Sequence, residues 1–324
     1  MSAELFHSET VFNAVESGTA AARSRLAASW RRSLIKHGLD PARQTRVDRL
    51  DETALKDRRN GLEQFRGLAS DELDRLCGMV GGSGFGVFLT DTEGVILDRR
   101  CQDGDRQDFE SWGLSAGTDW SEAAEGTNGI GTCLAEMRSV VIHRDQHFCT
   151  QNTGLSCIGT PIYGARGELI AALDVSSARR DQTQSLNLLI AGTLADSARR
   201  IEAAYFRERH QGARILIADT GKTEGSAMLA VDNNDIVVGA TRAARLAFDL
   251  GIDTPIDAVP AVDIFGQTRR GLAAAERSEL IRALARARGN VSAAAKDLGV
   301  GRATLYRRMQ SLKIEKSDLQ PSQN

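Results

Sequence analysis

The sequence predicts an α+β protein of several domains, because of its length, a change in its hydrophobic period and its charge distribution. The 324 residues exceed the roughly 100–200 residues of one typical domain. Apolar residues recur at helical spacing near the N-terminus, at strand spacing from Gly84 and at helical spacing again near the C-terminus. The segment from Arg269 onward has twelve Lys and Arg against five Asp and Glu, whereas the whole chain has a formal charge of -2. A mildly acidic body therefore carries a basic C-terminal domain.

The composition and the cysteines narrow the class of protein. Apolar residues make up 41% of the chain and charged residues 26%, which disfavours disordered, collagen-like and coiled-coil architectures. The five cysteines are odd in number and lack CxxC spacing, which disfavours a disulfide framework and a zinc ribbon. The first residues show no secretory signal, and no uncharged stretch is apolar enough to span a membrane. We therefore expect a cytoplasmic protein that does not engage a membrane.

The N-terminal part is predicted to be helical. Between residues 20 and 35, one stripe carries apolar side chains four residues apart, namely Leu26, Trp30 and Leu34. Gly38 and Pro41 follow and are typical of a helix end. A second helical run follows from about Asp51, and a third is expected around residues 71–76. We expect these helices to pack against other elements or to form an interface.

From Gly84 the apolar period becomes that of strands, which predicts an α+β unit. One hairpin is expected from strands at 86–90 and 95–97, and a second from strands at 156–163 and 168–175. A further strand is predicted at 139–142. Apolar residues at helical spacing from 183 to 209 predict a long closing helix with a surface for dimerisation.

A second, smaller α+β unit is predicted after residue 213. Its strands are expected at 214–217, 227–231 and 236–240, followed by a helix at 241–250. Roughly fifty residues can bury only a modest core. We therefore expect this unit to lean on its neighbours.

The basic C-terminal segment predicts three helices, at 274–288, 291–298 and 302–312. Gly289 ends the first, Asn290 caps the second, and Gly299 forms a tight turn before the third. Two helices joined by a short turn with glycine are typical of a helix-turn-helix, whose second helix enters the major groove of DNA. Guanidinium groups on that helix can bind guanine bidentately or pair with phosphates.

The expected DNA contacts are on the exposed side of these last two helices: Ser292, Arg302, Ala303, Thr304, Tyr306, Arg307 and Arg308. The alternative is a small three-helix bundle whose basic face is merely solvated. The tight turn at Gly299, the alanine run at 293–295 and the charge excess favour DNA binding.

Several motifs carry a resemblance to a known family. Residues 279–312 resemble the Fis-type helix-turn-helix, through GNVSAAA at 289–295, LGV at 298–300 and RATLYRR at 302–308. Upstream, SWRRS at 29–33, WSE at 120–122, EGTNGIGT at 125–132 and Ser156-Cys157 resemble the GAF sensory region of regulators of the acetoin-catabolism activator family. The segment 227–250 resembles a degraded PAS domain of the same family.

The resemblance implies four parts. They are an N-terminal helical region at 1–69, a GAF-like sensor with its dimerisation helix at 70–210, a PAS-like domain at 211–266 and a Fis-type DNA-binding domain at 267–324. That family usually has an AAA+ ATPase between sensor and DNA-binding domain. Here Gly221-Lys222-Thr223 matches the end of the phosphate-loop motif, but Leu216 stands where the motif requires its first glycine. We therefore expect the chain to act without an ATPase of its own.

The GAF-like sheet is expected to hold any effector, because a sheet covered by helices and loops makes a concave apolar pocket. The candidate lining residues are Phe88, Trp112, Trp120, Thr132, His147, Phe148 and Cys157, although for each of them packing in the core is the favoured alternative. His143, His147 and Cys149 have ligand chemistry for iron or zinc and form an alternative metal site. The main expectation is that the protein uses no metal and no cofactor.

These observations predict a ligand-responsive, sequence-specific transcriptional regulator that is not an enzyme. Its expected partners are operator DNA, a small-molecule effector, RNA polymerase and a second copy of the chain. Three alternatives stay open: a regulator that senses metal or thiol redox state, a GAF-based reductase that uses Cys149 and Cys157, and an accessory partner of an ATPase-bearing relative.

Overall fold

The structure is a computed structural model that describes residues 3–17, 19, 24–44, 48–218, 226–252, 254–256, 259–264, 272–287 and 289–314. It confirms the α+β class. The chain divides into two compact units, Met1–Ala258 and Val259–Asn324. None of the described helices combines the length and the apolar composition that a membrane crossing requires.

The N-terminal region of the larger unit is helical, as predicted. The helices are α1 (Ala3–Glu16), α2 (Arg25–Arg31), α3 (Glu52–Gly61) and α4 (Glu63–Val80), and a wider π turn at Arg32–Lys36 continues α2. Ser24 caps α2 by accepting a hydrogen bond from the Ala27 amide. Trp30 is buried against Val11 and Phe148, with Leu26 and Leu34 partly buried beside it. The predicted apolar stripe therefore fixes α2 to the body of the unit.

A five-stranded antiparallel sheet forms the centre of this unit. Its strands are β1 (Gly86–Thr90), β2 (Ile96–Arg100), β3 (Val140–His143), β4 (Ser156–Tyr163) and β5 (Leu169–Ser177), in the order β2-β1-β5-β4-β3. Both predicted hairpins are present, as β1 with β2 and as β4 with β5. Gly159 of β4 pairs with Asp174 of β5, which places an acidic residue at the centre of the sheet.

Helices cover both faces of the sheet. Helix α4 and the long helix α8 (Gln184–Arg209) cover one face, and the resulting core includes Phe65, Leu73, Val87, Ile158, Val175 and Leu194. The short helices α5 (Arg106–Ser111), α6 (Glu122–Glu125) and α7 (Gly129–Glu136) lie on the other side. Helix α7 approaches β4 so closely that a Cβ on Gly159 would overlap the carbonyl oxygen of Gly129. Glycine at 159 therefore permits this contact.

The rest of the larger unit is a three-stranded antiparallel sheet with one helix. Strands β6 (Arg214–Ala218), β7 (Ala227–Val231) and β8 (Val237–Ala240) pair in chain order, and α9 (Arg242–Ala247) follows. Met228 of β7 packs in one cluster with Phe206 of α8. The Arg242 guanidinium lies 4.4 Å from the ring centroid of Tyr163. The small sheet therefore packs against its neighbours, as expected. Gly221-Lys222-Thr223 falls outside the described residues.

The smaller unit is helical. It contains α10 (Ala261–Ile264), α11 (Leu272–Arg286), α12 (Val291–Asp297) and α13 (Arg302–Ser311). Its core consists of aliphatic side chains from the last three helices and the segment after them: Leu280, Ala283, Leu284, Ala294, Ala295, Leu305 and Ile314. Gly289 and Gly299 have φ values of +80° and +66°, a backbone region that L side chains rarely adopt. Both predicted helix ends therefore coincide with positions that favour glycine.

Candidate functional site

Local hydrogen bonds and packing orient the last two helices of the smaller unit. The Asn290 side-chain oxygen accepts from the backbone amides of Ser292 at 3.0 Å and Ala293 at 3.2 Å, which starts α12. The turn at Gly299 then reverses the chain before α13. Leu305, the fully buried residue of α13, packs against Ala294 and Ala295 of α12. This arrangement is that of a helix-turn-helix.

The opposite side of α13 faces solvent. Six of the seven predicted DNA-contact residues are exposed and Thr304 is partly buried. The Arg302 guanidinium lies 5.7 Å from the ring centroid of Tyr306, a cation-π contact along the helix. Arg307 makes no hydrogen bond or ion pair with any residue that the structure describes. An exposed guanidinium that has no partner among the described residues has donors available for a phosphate or a guanine.

Arg308 has a different environment from Arg302 and Arg307. Its Nη1 atom lies 2.9 Å from Oε1 of Glu276 on α11. This ion pair connects α13 to the first helix of the bundle. The three arginines lie close together in sequence, but Arg308 forms an ion pair within the unit whereas Arg302 and Arg307 are exposed.

The seven predicted effector residues lie in several environments. Phe88, Trp120 and Cys157 pack in one cluster of the sheet face, with Trp112 at its margin. Phe148 packs instead against Trp30. Thr132 belongs to a buried hydrogen-bond network, and His147 places Nε2 3.3 Å from the sulfur of Cys157. The structure therefore does not gather these seven side chains around one cavity.

The alternative metal ligands have other partners. His143 Nδ1 lies 2.6 Å from Oγ of Ser156, and the Cys149 sulfur lies 3.5 Å from the Glu125 carbonyl oxygen. No group of three or more His, Cys, Asp or Glu that could hold a metal ion occurs among the described residues.

Burial decides the protonation of the inner thiols and imidazole. It raises the pKa of Cys149 to about 11 and that of Cys157 still further. Burial lowers the pKa of His147 to about 4. All three groups are therefore neutral at pH 7, which suits core packing and gives no thiolate nucleophile.

The structure also shows a polar network that sequence reasoning missed. Ser29 Oγ lies 2.5 Å from Glu122 Oε1 and 2.7 Å from Thr127 Oγ1, and Thr132 Oγ1 donates to the same Glu122 oxygen at 3.1 Å. Arg32 Nε lies 2.7 Å from the other Glu122 oxygen. The motifs at 29–33 and 120–132, which carried the family resemblance, thus meet in space. Both motifs belong to the same family resemblance, and this shared origin was the signal in the sequence that could have indicated the contact.

Asp174 is a second buried polar feature. Its Oδ2 accepts a hydrogen bond from Ser176 Oγ at 2.5 Å, and its Oδ1 is buried without a hydrogen-bond partner among the described residues. Burial raises the pKa of this carboxyl from 3.8 to about 7. Near neutral pH, the folded protein therefore retains a proton that an unfolded chain would release.

We expect Asp174→Asn to stabilise the protein at pH 8 by at most about 4 kcal/mol, because one pKa unit corresponds to about 1.36 kcal/mol. The pKa is raised in the folded state, so the free energy of unfolding should fall as pH rises from about 4 to 7 and then level off. Urea unfolding at pH 5 and pH 8 measures both effects. Glu202, whose pKa is also raised to about 7, adds a similar slope that the variant should keep. An identical pH profile for both proteins would contradict this role of Asp174.

Comparison with known families agrees with this geometry. The GAF domain model matches residues 66–200, and the model of the Fis family of bacterial regulatory proteins matches residues 271–312. Neither model covers 201–270. The chain therefore contains a GAF domain at 66–200 and a helix-turn-helix of the Fis family at 271–312.

The chain is homologous to regulators of acetoin catabolism. It is 29% identical over 243 residues to the acetoin catabolism regulatory protein of Cupriavidus necator, covering 74% of this chain and 36% of that protein. It is 28% identical over 192 residues to the acetoin dehydrogenase operon transcriptional activator AcoR of Bacillus subtilis, covering 58% of this chain and 31% of that protein. The chain thus spans about a third of the length of these relatives.

Among solved structures, the crystal structure of the E. coli DhaR(N)-DhaL complex matches with a TM-score of 0.49 and 15% identity, over 74% of this chain and 80% of that chain.

Proposed function

We propose that this protein is a ligand-responsive regulator that binds specific operator sequences through α13 and senses a small molecule with its larger unit. One observation carries the proposal: α13 presents Arg302 and Arg307 to solvent on the second helix of a helix-turn-helix. The C-terminal segment that contains it has an excess of seven positive charges over acidic residues. Such a field attracts the phosphate backbone, and the two guanidinium groups can read base edges in the major groove.

We further propose that the regulator is a homodimer. Helices α4 and α8 run antiparallel, since Arg75 Nη2 lies 3.3 Å from Ser197 Oγ and Gln182 Nε2 lies 2.8 Å from the Ser83 carbonyl oxygen. Where α4 ends and α8 begins, Met79, Leu188 and Leu189 are 48%, 63% and 73% exposed. A second copy that covers this apolar surface would give two helix-turn-helix units for a two-fold operator.

Control of transcription would then depend on occupancy of the operator rather than on nucleotide hydrolysis. Leu216 occupies the position where a phosphate-binding loop requires its first glycine, which supports this view. The thiols of Cys149 and Cys157 are protonated at pH 7, which argues against the alternative of a reductase. The protein would block RNA polymerase or recruit it, in the cytoplasm where the operator DNA lies. The small sheet β6–β8 with α9 would act as a PAS-like spacer between sensor and DNA-binding domain.

The names of the relatives do not identify the effector of this chain. The matched relatives include regulators of acetoin operons and of propane 2-monooxygenase operons in Mycolicibacterium species. The operons in these names act on different compounds, so the names support no single effector for this chain. The chemistry of its own cavities has to identify the ligand class.

The test is selection of genomic fragments by the purified chain, followed by affinity measurements at several salt concentrations. Neutralising Z phosphates should give a slope of about -0.9Z in log affinity against log salt, and several contacts per dimer should make it steep. Affinity that is independent of salt would contradict the proposal. Polymerase that carries the nitrogen-type sigma factor depends on an ATPase to open a promoter. If the chain binds its operator normally but regulation disappears when this sigma factor is deleted, the chain would instead be an accessory partner of an ATPase-bearing relative.

A further inference from the structure

A positively charged cavity lies on the larger unit, beside the outer strand β2 of the central sheet. Its volume is about 540 Å³, which is within the range of about 300–1,000 Å³ that small-molecule sites occupy. Helix α3, strand β2, helix α5 and two loop segments contribute to its lining. Five arginines line it, namely Arg49, Arg59, Arg99, Arg100 and Arg106.

Two carboxylates line the same cavity, and both are already paired. Asp98 accepts from Arg66 of α4 at 2.6 and 2.8 Å, and it lies 3.9 Å from Arg59. Glu110 accepts from Arg99 at 3.0 Å. The lining thus has three more guanidinium groups than carboxylates. A cleft lined by one sign of charge focuses the electric field and raises the local concentration of ions of opposite charge.

Two of the five arginines have structural roles. Arg99 donates to the Leu114 carbonyl oxygen at 3.3 Å, and its side chain is 13% exposed. Arg100 Nε donates to Asp74 Oδ1 at 2.5 Å and so connects β2 to α4. These contacts explain Arg99 and Arg100 without a ligand.

The other three arginines have donors to spare. Arg49 is exposed, and its guanidinium makes no hydrogen bond or ion pair with any residue that the structure describes. Arg106 is exposed as well, and its ion pair is a 3.4 Å contact with Asp103, whose side chain is 98% exposed. Arg59 donates from Nε and Nη2 to the Leu97 carbonyl oxygen, which leaves Nη1 without a partner among the described residues. Because the three arginines belong to three different elements, they can approach one bound anion from separate directions.

This arrangement favours a phosphoryl group over a carboxylate. A carboxylate offers two oxygens in one plane, whereas a phosphoryl group offers oxygens in three directions, and guanidinium groups bind such oxygens in pairs. A diphosphate group carries about three negative charges near neutral pH, which matches the excess of positive charge in the lining. We propose that this cavity binds a diphosphate group, either as the free anion or as part of an ester.

A second cavity gives the organic part of an ester room. It shares Arg49, Glu110 and Ser115 with the first cavity and has a volume of about 790 Å³. Trp112 and Gln44 are among the other residues that line it. An indole and an amide can contact an organic group there, whereas the first cavity offers mainly charged donors.

A bound diphosphate group would strengthen the attachment of the N-terminal region to the body of the unit. The segment that carries Arg49 is held by backbone hydrogen bonds, from Leu50 to Gly117 at 2.8 Å and from Asp119 to Asp48 at 2.9 Å. An anion shared by this segment, α3 and α5 adds contacts across the same junction. Binding should therefore reduce the opening of residues 48–61. The inference goes beyond the proposed function, since the site needs neither the effector nor operator DNA.

Calorimetric titration of the full chain with inorganic diphosphate tests the site. We expect diphosphate to bind, and malonate, a small dicarboxylate, to bind at least tenfold more weakly. Arg49→Gln and Arg106→Gln should each weaken the diphosphate affinity at least fivefold, and the variant that combines both should show no binding. Arg31→Gln removes an exposed arginine of α2 that does not line the cavity, so this matched control should keep the wild-type affinity.

Two further measurements locate the binding. The double variant Arg302→Ala, Arg307→Ala should bind diphosphate like the wild type, which separates the cavity from attraction by the basic C-terminal segment. Hydrogen exchange should show slower amide exchange of residues 48–61 with diphosphate in the wild type and no change in the combined variant at Arg49 and Arg106.

Adenosine 5′-diphosphate distinguishes the two sources of the group. An affinity at or above that of inorganic diphosphate supports an ester whose organic part occupies the second cavity, and a lower affinity supports the free anion. Equal binding of malonate, full affinity in the combined variant at Arg49 and Arg106, or no binding of diphosphate would overturn the site. Operator affinity measured in parallel keeps this result apart from the proposed function, which stands or falls with DNA binding alone.

Discussion

Replacing Arg32 by methionine is expected to lower the free energy of unfolding of the larger unit by about 2–4 kcal/mol. Arg32 neutralises Glu122, whose side chain is only 4% exposed, and methionine keeps the aliphatic packing while it removes the charge. The carboxylate would then remain buried with only the hydroxyls of Ser29 and Thr132 as partners. Urea unfolding followed by tryptophan fluorescence, to which the buried Trp30 contributes, measures the loss.

The control for this variant is Arg199→Met. Arg199 pairs with Asp196 on the surface of α8, at side-chain exposures of 35% and 57%. Exposed pairs contribute about 0–1 kcal/mol, so this change should have little effect. Wild-type stability in Arg32→Met would mean that the buried Glu122 carboxylate does not depend on its ion pair with Arg32.

The second large effect is expected in DNA binding. Arg302→Ala and Arg307→Ala should each weaken operator binding by about 1–3 kcal/mol, and the double variant should bring specific affinity close to that for unrelated DNA. A side chain that reads a base should also relax specificity at that position, whereas one that pairs with phosphate should weaken all sequences alike. Fluorescence anisotropy with the selected operator and with a scrambled duplex measures both.

Arg286→Ala is the matched control for the DNA variants. Arg286 is an exposed arginine of the same unit, and it is paired with Asp297 at 2.9 Å and with Glu279 at 3.4 Å. Its removal should change operator affinity by less than about twofold. If it weakened binding as much as Arg302→Ala or Arg307→Ala, the effect would come from net charge and not from the recognition helix.

Much of the fold follows from local pattern. The spacing of Leu26, Trp30 and Leu34 predicted the buried side of α2, because a helix returns to the same face about every four residues. The glycines at 289 and 299 marked the ends of α11 and α12 because those positions have positive φ values. These features depend on neighbours in sequence, and the sequence therefore reveals them.

The candidate sites were less accessible to prediction because they depend on contacts between distant segments. Ser29 and Glu122 are 93 residues apart, and no hydrophobic period encodes that their side chains meet. Arg308 reads like Arg307 in sequence, and only the position of Glu276 on α11 distinguishes it. Phe88 and Trp120 are residue types that line apolar pockets, but the same types also fill hydrophobic cores. The structure places both in one buried cluster.

Methylation interference on the selected operator tests most directly the central claim, that α13 reads DNA sequence in the major groove. Guanine N7 lies in that groove and is a partner of arginine. Methylated guanines are expected to interfere with binding of the wild-type chain in two clusters about 34–36 Å apart along the duplex, and the double variant at Arg302 and Arg307 is expected to lose this pattern. Binding by the wild-type chain that no guanine methylation impairs, or an interference pattern that the double variant retains in full, would contradict it.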